Sequence, residues 1–142
     1  MIQQFVKKVK NIFQTEEQIP LETPVNINAR FILMYQDLHI GTLELEDGVW
    51  VFSYAETFRQ QQMGKRIKPI VNFPDVTHTY KSTELWPFFA TRIPGLKQPQ
   101  VQEIVKREHI DMNNTVALLQ RFGRETITNP FLLTQQRSVA QA

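Results

Sequence analysis

Residues 31–54 follow a period of two, which is the spacing of a β-strand with two different faces. Residues 31–35 form a first run, and residues 40–45 form a second run that leads into Asp47-Gly48. An Asp-Gly step between apolar runs is the strongest short signal for a hairpin turn. Residues 49–54 continue the pattern after the turn. The sequence therefore predicts three consecutive antiparallel strands joined as a meander.

Three aromatic residues of the third run, Trp50, Phe52 and Tyr54, lie on one face of the predicted strand. On an exposed sheet, such a row stacks the bases of single-stranded nucleic acid. In a domain of this size the row more often packs beneath helices, and no basic residue is interleaved with it. We therefore expect a buried row and no direct contact with nucleic acid.

About three short helices are predicted in the second half of the chain. The first covers residues 82–93, where Pro87 occupies an early position at which no backbone donor is needed. The second covers residues 98–108. Asn113 or Asn114 is a candidate N-cap for the third helix, because an asparagine side chain accepts a hydrogen bond from the first helical turn.

Two further short strands are predicted outside the meander. Residues 69–73 are apolar and end at Pro74, which suits an edge strand because proline cannot donate to a β-ladder. Residues 130–133 are the last apolar run, and residues 75–81 are predicted as a loop. These elements predict an α+β fold over residues 29–134, in which a small antiparallel meander or partly closed sheet packs with about three helices.

The segment before this domain predicts an amphipathic helix over residues 1–14. Its lysines lie opposite an apolar stripe with helical spacing, which consists of Ile2, Phe5, Val6, Val9, Ile12 and Phe13. Such a helix lies on an anionic membrane surface or docks on protein, and docking is favoured because the stripe has no tryptophan and the lysines are only Lys7, Lys8 and Lys10. Residues 15–28 are predicted as a linker, and residues 135–142 as a loose tail.

The composition excludes several kinds of site. The 142 residues contain no cysteine, which rules out disulfides, thiolate nucleophiles and cysteine-based zinc sites. The net charge of +2, from 16 basic and 14 acidic residues, is too small to indicate a nucleic-acid binder. No apolar run approaches the roughly 20 residues of a membrane-spanning helix, and the N-terminus lacks the pattern of a secretory signal. We expect a cytoplasmic protein.

The sequence gives no pattern of a catalytic site. The three histidines are far apart, and the five glycines stand singly, so that no phosphate-binding loop is present. The paired lysine and glutamate of a kinase fold, and its catalytic aspartate with a metal-binding asparagine, have no recognisable counterpart. We expect no enzymatic activity, no metal and no cofactor.

Four motifs follow one another along the domain in a characteristic order. They are Ile40-Gly41-Thr42-Leu43, Phe52-Ser53-Tyr54, the run from Pro87 to Gly95 (PFFATRIPG), and the run from Leu118 to Glu125 (LLQRFGRE). In this order and spacing the chain resembles the N-terminal subdomain of HipA-type serine/threonine kinases, over roughly residues 29–134. It differs from the family at Thr91-Arg92-Ile93, where the central motif has Asn-Leu-Leu.

The resemblance implies a binding role. Stand-alone copies of this subdomain act as antitoxins of a shortened kinase in tripartite toxin–antitoxin systems of the HipBST kind, to whose small HipS antitoxin the chain is similar. The subdomain sits on the kinase N-lobe facing the cleft, so that a separate copy rebinding there hinders closure or substrate entry. The expected partner is a HipA-like kinase toxin, accompanied in such systems by a helix-turn-helix DNA-binding protein. The alternative is an adaptor that attaches to membrane or nucleic acid through its basic N-terminal helix.

Three residues are candidates for the partner contact. Trp86 precedes the Pro87-Phe88-Phe89 helix, and tryptophan is favoured at interface hot spots, although a core position is equally open to it. Arg92 and Arg124 are further candidates, for which structural or solvent-facing roles are the alternatives.

Overall fold

The computed structural model describes residues 21–61 and 67–136 and confirms the α+β fold. Its five-stranded sheet is antiparallel and open, with four helices among the described residues. The helix predicted over residues 1–14 lies outside the described residues, as do residues 15–20 of the predicted linker and residues 137–142 of the predicted tail.

The sheet has the order β4-β3-β2-β1-β5, so that the predicted meander occupies its centre. Each neighbouring pair is antiparallel. The strands are β1 (Ala29–Tyr35), β2 (Leu38–Glu46), β3 (Val49–Tyr54), β4 (Tyr80–Ser82) and β5 (Leu132–Gln135).

The predicted hairpin turn is present between β2 and β3. Asp47 has φ 51° and Gly48 has φ 80°, which are the left-handed values that a two-residue type I′ turn requires at both of its central positions. Glycine adopts this conformation without steric cost, and aspartate tolerates it better than most residues. The twist of this turn fixes the register in which Glu46 pairs with Val49.

The helices are short and begin where their sequences favour a start. Proline occupies the first turn of the second and third helices, and Asn114 accepts a hydrogen bond from Ala117 N at 3.2 Å as the N-cap of the fourth. The helices are α1 (Glu56–Gln61), α2 (Pro87–Ala90), α3 (Pro99–Arg107) and α4 (Thr115–Phe122).

The first predicted helix was placed too early. The prediction began it near residue 82, whereas α2 begins at Pro87. Trp86 has an extended backbone (φ −64°, ψ 149°), because the ring of a following proline disfavours helical geometry in the residue before it. Ser82 instead accepts a hydrogen bond from Glu84 N at 3.0 Å in a local turn.

The predicted edge strand at residues 69–73 is also wrong. This segment is a turn in which Phe73 N donates to Ile70 O at 2.8 Å. The strand at this edge of the sheet, next to β3, is β4, whose first two residues the prediction gave as loop and whose last residue it gave as the start of a helix. The Tyr54 hydroxyl accepts from Ile70 N at 2.9 Å and donates to Phe73 O at 2.6 Å. These bonds satisfy the turn's backbone without a β-ladder, while Ile70 and Phe73 are buried.

The aromatic row of β3 is buried, as predicted. Trp50, Phe52 and Tyr54 are each at most 3% exposed. Phe52 stacks on Phe73 with ring centroids 4.3 Å apart, and it tilts against Phe89 of α2 at 5.7 Å. The row therefore holds α2 and the turn at residues 70–73 against the sheet and offers no face to nucleic-acid bases.

The irregular segment 21–28 lies against the domain. Trp50 Nε1 donates to Thr23 Oγ1 at 3.0 Å, and Thr23 Oγ1 donates to Thr83 O at 2.6 Å. The hydroxyl of Thr115, the first residue of α4, donates to Glu22 O. These bonds connect the segment to the start of β3, the residue after β4 and the start of α4.

Candidate functional site

Trp86 lies at the junction between β4 and α2 and is half-buried. Its ring meets the buried ring of Phe73 at 81°, with centroids 5.0 Å apart. Its carbonyl oxygen accepts from the backbone N–H groups of Phe89 and Ala90, both at 2.9 Å. The backbone of Trp86 and the part of its ring that contacts Phe73 are thus held in place, while part of the indole remains accessible to a partner.

The turn at residues 70–73 is fastened directly to α2. Asn72 Oδ1 accepts from Phe88 N at 3.1 Å and so satisfies one of the free N–H groups at the start of the helix. Val71, at the tip of this turn, is 93% exposed. A fully apolar side chain therefore stands in solvent on a turn that is held in place from both sides.

Helix α2 also contacts the end of the segment between α4 and β5. Phe88 and Phe131 meet at 61°, with centroids 5.8 Å apart, and Phe131 meets Tyr35 of β1 at the same distance. All three rings are half-buried. They form a partly accessible aromatic row from α2 to the end of β1.

Arg124 lies in the segment 123–131, which contains no helix or strand. Its side chain is exposed, while its carbonyl oxygen accepts from Leu133 N at 2.9 Å and from Arg92 Nη1 at 3.3 Å. Ile127 in the same segment is fully exposed. The segment thus presents one cationic and one large apolar side chain to solvent.

Arg92 is buried, with 4% of its surface exposed. Its two terminal nitrogens donate to four acceptors, which are Gly123 O at 3.0 Å, Arg124 O at 3.3 Å, Asn129 Oδ1 at 3.1 Å and Phe131 O at 3.0 Å. All four acceptors belong to segment 123–131. The donors of this arginine are therefore directed into the protein.

The positive charge of Arg92 is not paired with a carboxylate, since none of the ion pairs among the described residues includes this arginine. Burial lowers the pKa of Arg92 to about 10, so that the guanidinium remains charged at neutral pH. Its Cζ atom lies 5.6 Å from the centre of the Phe88 ring, in the range of a cation–π contact. Its buried Nε atom has no hydrogen-bond partner.

The structure thus connects all three predicted contact residues to one region, which we call the α2 region. It consists of the turn at residues 70–73, Trp86 with α2, and the segment 123–131. Trp86 is half-buried, Arg124 is exposed and Arg92 is buried between α2 and the segment.

The sequence predictions missed three members of this region, Val71, Ile127 and Phe131. For Ile127 the signal was present in the sequence, because it is a lone large apolar residue between two threonines, whereas Val71 belongs to the apolar run that predicted an edge strand. Singly such residues are ordinary, and only the structure shows that the turn with Val71 is bonded to α2 and that the segment with Ile127 is bonded to Arg92.

The remaining polar groups of the described residues suit local structural roles. No group of three acidic or histidine residues there is placed to hold a metal ion. Hydrogen bonds from Thr77 lower the pKa of Asp75, and a hydrogen bond from Arg121 lowers the pKa of Glu108. Within residues 21–61 and 67–136, no helix has the length and apolar character needed to cross a membrane.

The family model of the HipA N-terminal domain matches residues 32–128, which are 97 of the chain's 142 residues. The match spans β1 to the segment after α4 and includes Trp86, Arg92 and Arg124. A search of curated proteins gave no match.

Proposed function

Since the chain belongs to the HipA N-terminal domain family, we propose that it binds a HipA-like serine/threonine kinase and restrains it as an antitoxin. Membership in this family associates the chain with HipA-related toxin–antitoxin systems. In the proposed role the chain contributes a binding surface and catalyses no reaction itself, and the complex also contains a helix-turn-helix DNA-binding protein.

The accessible side chains of the α2 region are the observation that carries this proposal. Trp86, Phe88 and Phe131 are half-buried aromatic residues, and Val71 and Ile127 are exposed apolar residues of the turn at residues 70–73 and of the segment 123–131. Aromatic residues are enriched at protein interfaces, and clustered exposed apolar groups indicate a binding surface more than scattered ones do. The region therefore suits a protein partner better than a small charged substrate.

The proposed restraint is steric. The α2 region is tied to the sheet by the Phe52–Phe73 stack and to the segment 123–131 by Arg92, so that little ordering is needed when it binds. A rigid domain bound beside the cleft between the kinase lobes opposes their closure. Arg124 lies exposed on this region and, as a charge at the rim, acts mainly on the rate of association and on partner choice.

The adaptor alternative depends on Lys7, Lys8 and Lys10, which lie outside the described residues. It predicts binding to anionic vesicles or DNA that weakens steeply with salt and disappears when residues 1–14 are deleted. The antitoxin proposal predicts that the same deletion leaves kinase binding through the α2 region intact. The deletion variant therefore separates the two functions.

The first test is to capture the tagged chain from extracts of its own cells and identify co-purifying proteins by mass spectrometry. The proposal predicts a HipA-like kinase at near-stoichiometric yield. Val71→Asp should reduce that yield strongly, while Val25→Asp, at an exposed valine beside the β2–β3 turn, should preserve it. Capture of no kinase by the wild-type chain, under conditions in which it is folded, would contradict the proposal.

A further inference from the structure

We infer that Arg92 is a positioning residue that acts on partner binding indirectly. This inference rests on the proposed function. Arg92 fixes the segment 123–131, and through that segment the side chains of Arg124 and Ile127, without touching the partner. The reason is its location: 4% of its surface is exposed, its terminal nitrogens donate into the protein, and its one unpaired nitrogen, Nε, is buried away from a second protein.

The first step of the inference is the span of its contacts. The four acceptors are 31 to 39 residues further along the chain than Arg92. Nη1 binds the two carbonyls at the start of the segment, and Nη2 binds Asn129 and Phe131 at its end. One planar side chain therefore joins both ends of the segment to the residues that follow α2.

The second step is that the segment has few other anchors. Gly123 is the C-cap of α4, whose terminal carbonyls have no partner within the helix, and Arg92 supplies a donor there. The segment is otherwise held at its two ends, by the bonds from Gly123 N to Leu119 O and from Leu133 N to Arg124 O and by the ring contacts of Phe131. Between these ends the bonds of Thr126, Thr128 and Asn129 are short-range. The placement of Arg124 and Ile127 thus depends on the guanidinium.

The third step is that lysine cannot replace this arginine. A guanidinium presents five donors in a fixed planar fork, whereas an ammonium presents three donors at a single atom. An ammonium at this site has at most three donors for the four acceptors and therefore leaves at least one of them without its partner. It also keeps the positive charge, so that Arg92→Lys separates the geometry of the fork from its charge.

The test begins with the free full-length chain, by amide hydrogen exchange. In Arg92→Lys we expect exchange in residues 124–131 to accelerate about tenfold or more, with the amides of β2 and β3 unchanged. Arg121→Lys is the matched control, because Arg121 lies on α4 but is exposed and pairs with Glu108 at 2.8 Å. This control should leave exchange in the segment unaltered.

The second measurement is a double-mutant cycle on kinase binding. If Arg92 acts by placing Arg124, then Arg124→Ala weakens binding in the wild-type background and has little further effect in the Arg92→Lys background. Val71→Asp, in the turn at residues 70–73, to which Arg92 makes no hydrogen bond, should have the same effect in both backgrounds. Merely structural damage spread over the domain would weaken the effects of Arg124→Ala and Val71→Asp alike.

The outcomes are distinguishable from those of the proposed function. A segment that stays protected in Arg92→Lys, or additive effects of Arg92→Lys and Arg124→Ala, would overturn the positioning role while leaving kinase binding in place. Absence of kinase binding by the wild type would sink the proposed function, and the exchange experiment would still report on the segment. If Arg92→Lys does not fold, Asn129→Ala removes one acceptor of Arg92, and exchange in residues 124–128 decides, because Asn129 Oδ1 also accepts from Phe131 N and that amide is left out of the comparison.

Discussion

The ring of Trp86 meets the ring of Phe73 edge to face, with their centroids 5.0 Å apart. Phe73 is fully buried and stacks in turn on Phe52 of the central sheet, whereas Trp86 is only half-buried. A side chain at the protein surface is thereby held against the core by a chain of ring contacts. Its orientation is fixed before any partner binds, which lowers the entropy lost on association.

Trp86→Ala should therefore weaken kinase binding strongly and destabilise the fold moderately. We expect a loss of about 2 kcal/mol or more in binding, which is the range of an interface hot spot. The edge-to-face contact is worth about 0.5–1.5 kcal/mol beyond the buried area, so the free energy of unfolding should fall by more than this amount, because the half-buried area of the indole is lost as well. Titration calorimetry with the kinase and urea unfolding of the free chain measure the two effects.

Trp50 supplies the comparison for this variant, because it is fully buried on β3. Trp50→Ala should lower the free energy of unfolding by about 3–5 kcal/mol, as expected for a large aromatic residue removed from a core. If Trp86→Ala costs as much stability as Trp50→Ala and leaves binding unchanged, Trp86 is a core residue and the contact is elsewhere.

Val71→Asp should reduce kinase binding without reducing stability. The side chain is 93% exposed, so that the charge is not buried in the free chain, but it would be desolvated at an apolar interface. Val25→Asp introduces the same change at a valine that is 67% exposed and lies against Gly48. Equal binding by the two variants would show that the turn at residues 70–73 is not in the interface.

Gly41→Ala should destabilise the sheet. A methyl group built at this position would lie 2.7 Å from both Phe52 Cζ and Ser53 O, which is closer than such atoms approach in proteins. We expect the free energy of unfolding to fall by about 1–3 kcal/mol, the usual effect of overpacking. Ser53→Ala, which adds no atom to the same strand pair, is the control, and a similar loss in both variants would argue against the steric explanation.

The free energy of unfolding of the wild-type chain should fall at alkaline pH because Tyr54 ionises. Burial raises the pKa of the Tyr54 hydroxyl to about 12, and the hydrogen bond from Ile70 N opposes this only in part. In the unfolded chain the pKa of this hydroxyl is about 10, so folding favours its neutral form. The contribution of this pKa difference to the free energy of unfolding is complete below about pH 10. The contribution is lost as the pH rises from about 10 through about 12.

Tyr54→Phe tests this assignment. The variant loses the hydroxyl that binds Ile70 N and Phe73 O, which should lower stability at neutral pH by about 1–3 kcal/mol because buried backbone groups lose their partner. Its stability should then fall less steeply than that of the wild type between pH 10 and pH 12. Parallel curves from chemical denaturation across this range would contradict the role of Tyr54.

Local signals predicted the centre of the fold. The period of two in residues 31–54 and the Asp47-Gly48 step specify β1 to β3, and both features act between residues that are near in sequence. Asn114 and Pro87 likewise mark helix starts through contacts within one turn. In contrast, β4 has three residues, which is too short for any periodicity to indicate a strand.

Long-range contacts explain what the sequence did not predict. The apolar run at residues 69–73 is buried as a turn because Tyr54, 16 residues earlier than Ile70, satisfies its backbone. Arginines are rarely buried, and the four acceptors of Arg92 are brought together only by the packing of α2 against the segment 123–131. The candidate contact residues were found by residue type, while their common location in the α2 region follows only from the fold.

The most direct test of the central claim is the rate at which the co-purified HipA-like kinase phosphorylates its substrate, measured against increasing concentrations of this chain. We predict that the rate falls to a low plateau near a one-to-one ratio, and that Trp86→Ala requires roughly thirtyfold more protein for the same effect, as a loss of about 2 kcal/mol implies. A rate that is unchanged or raised by the folded wild-type chain would contradict the account.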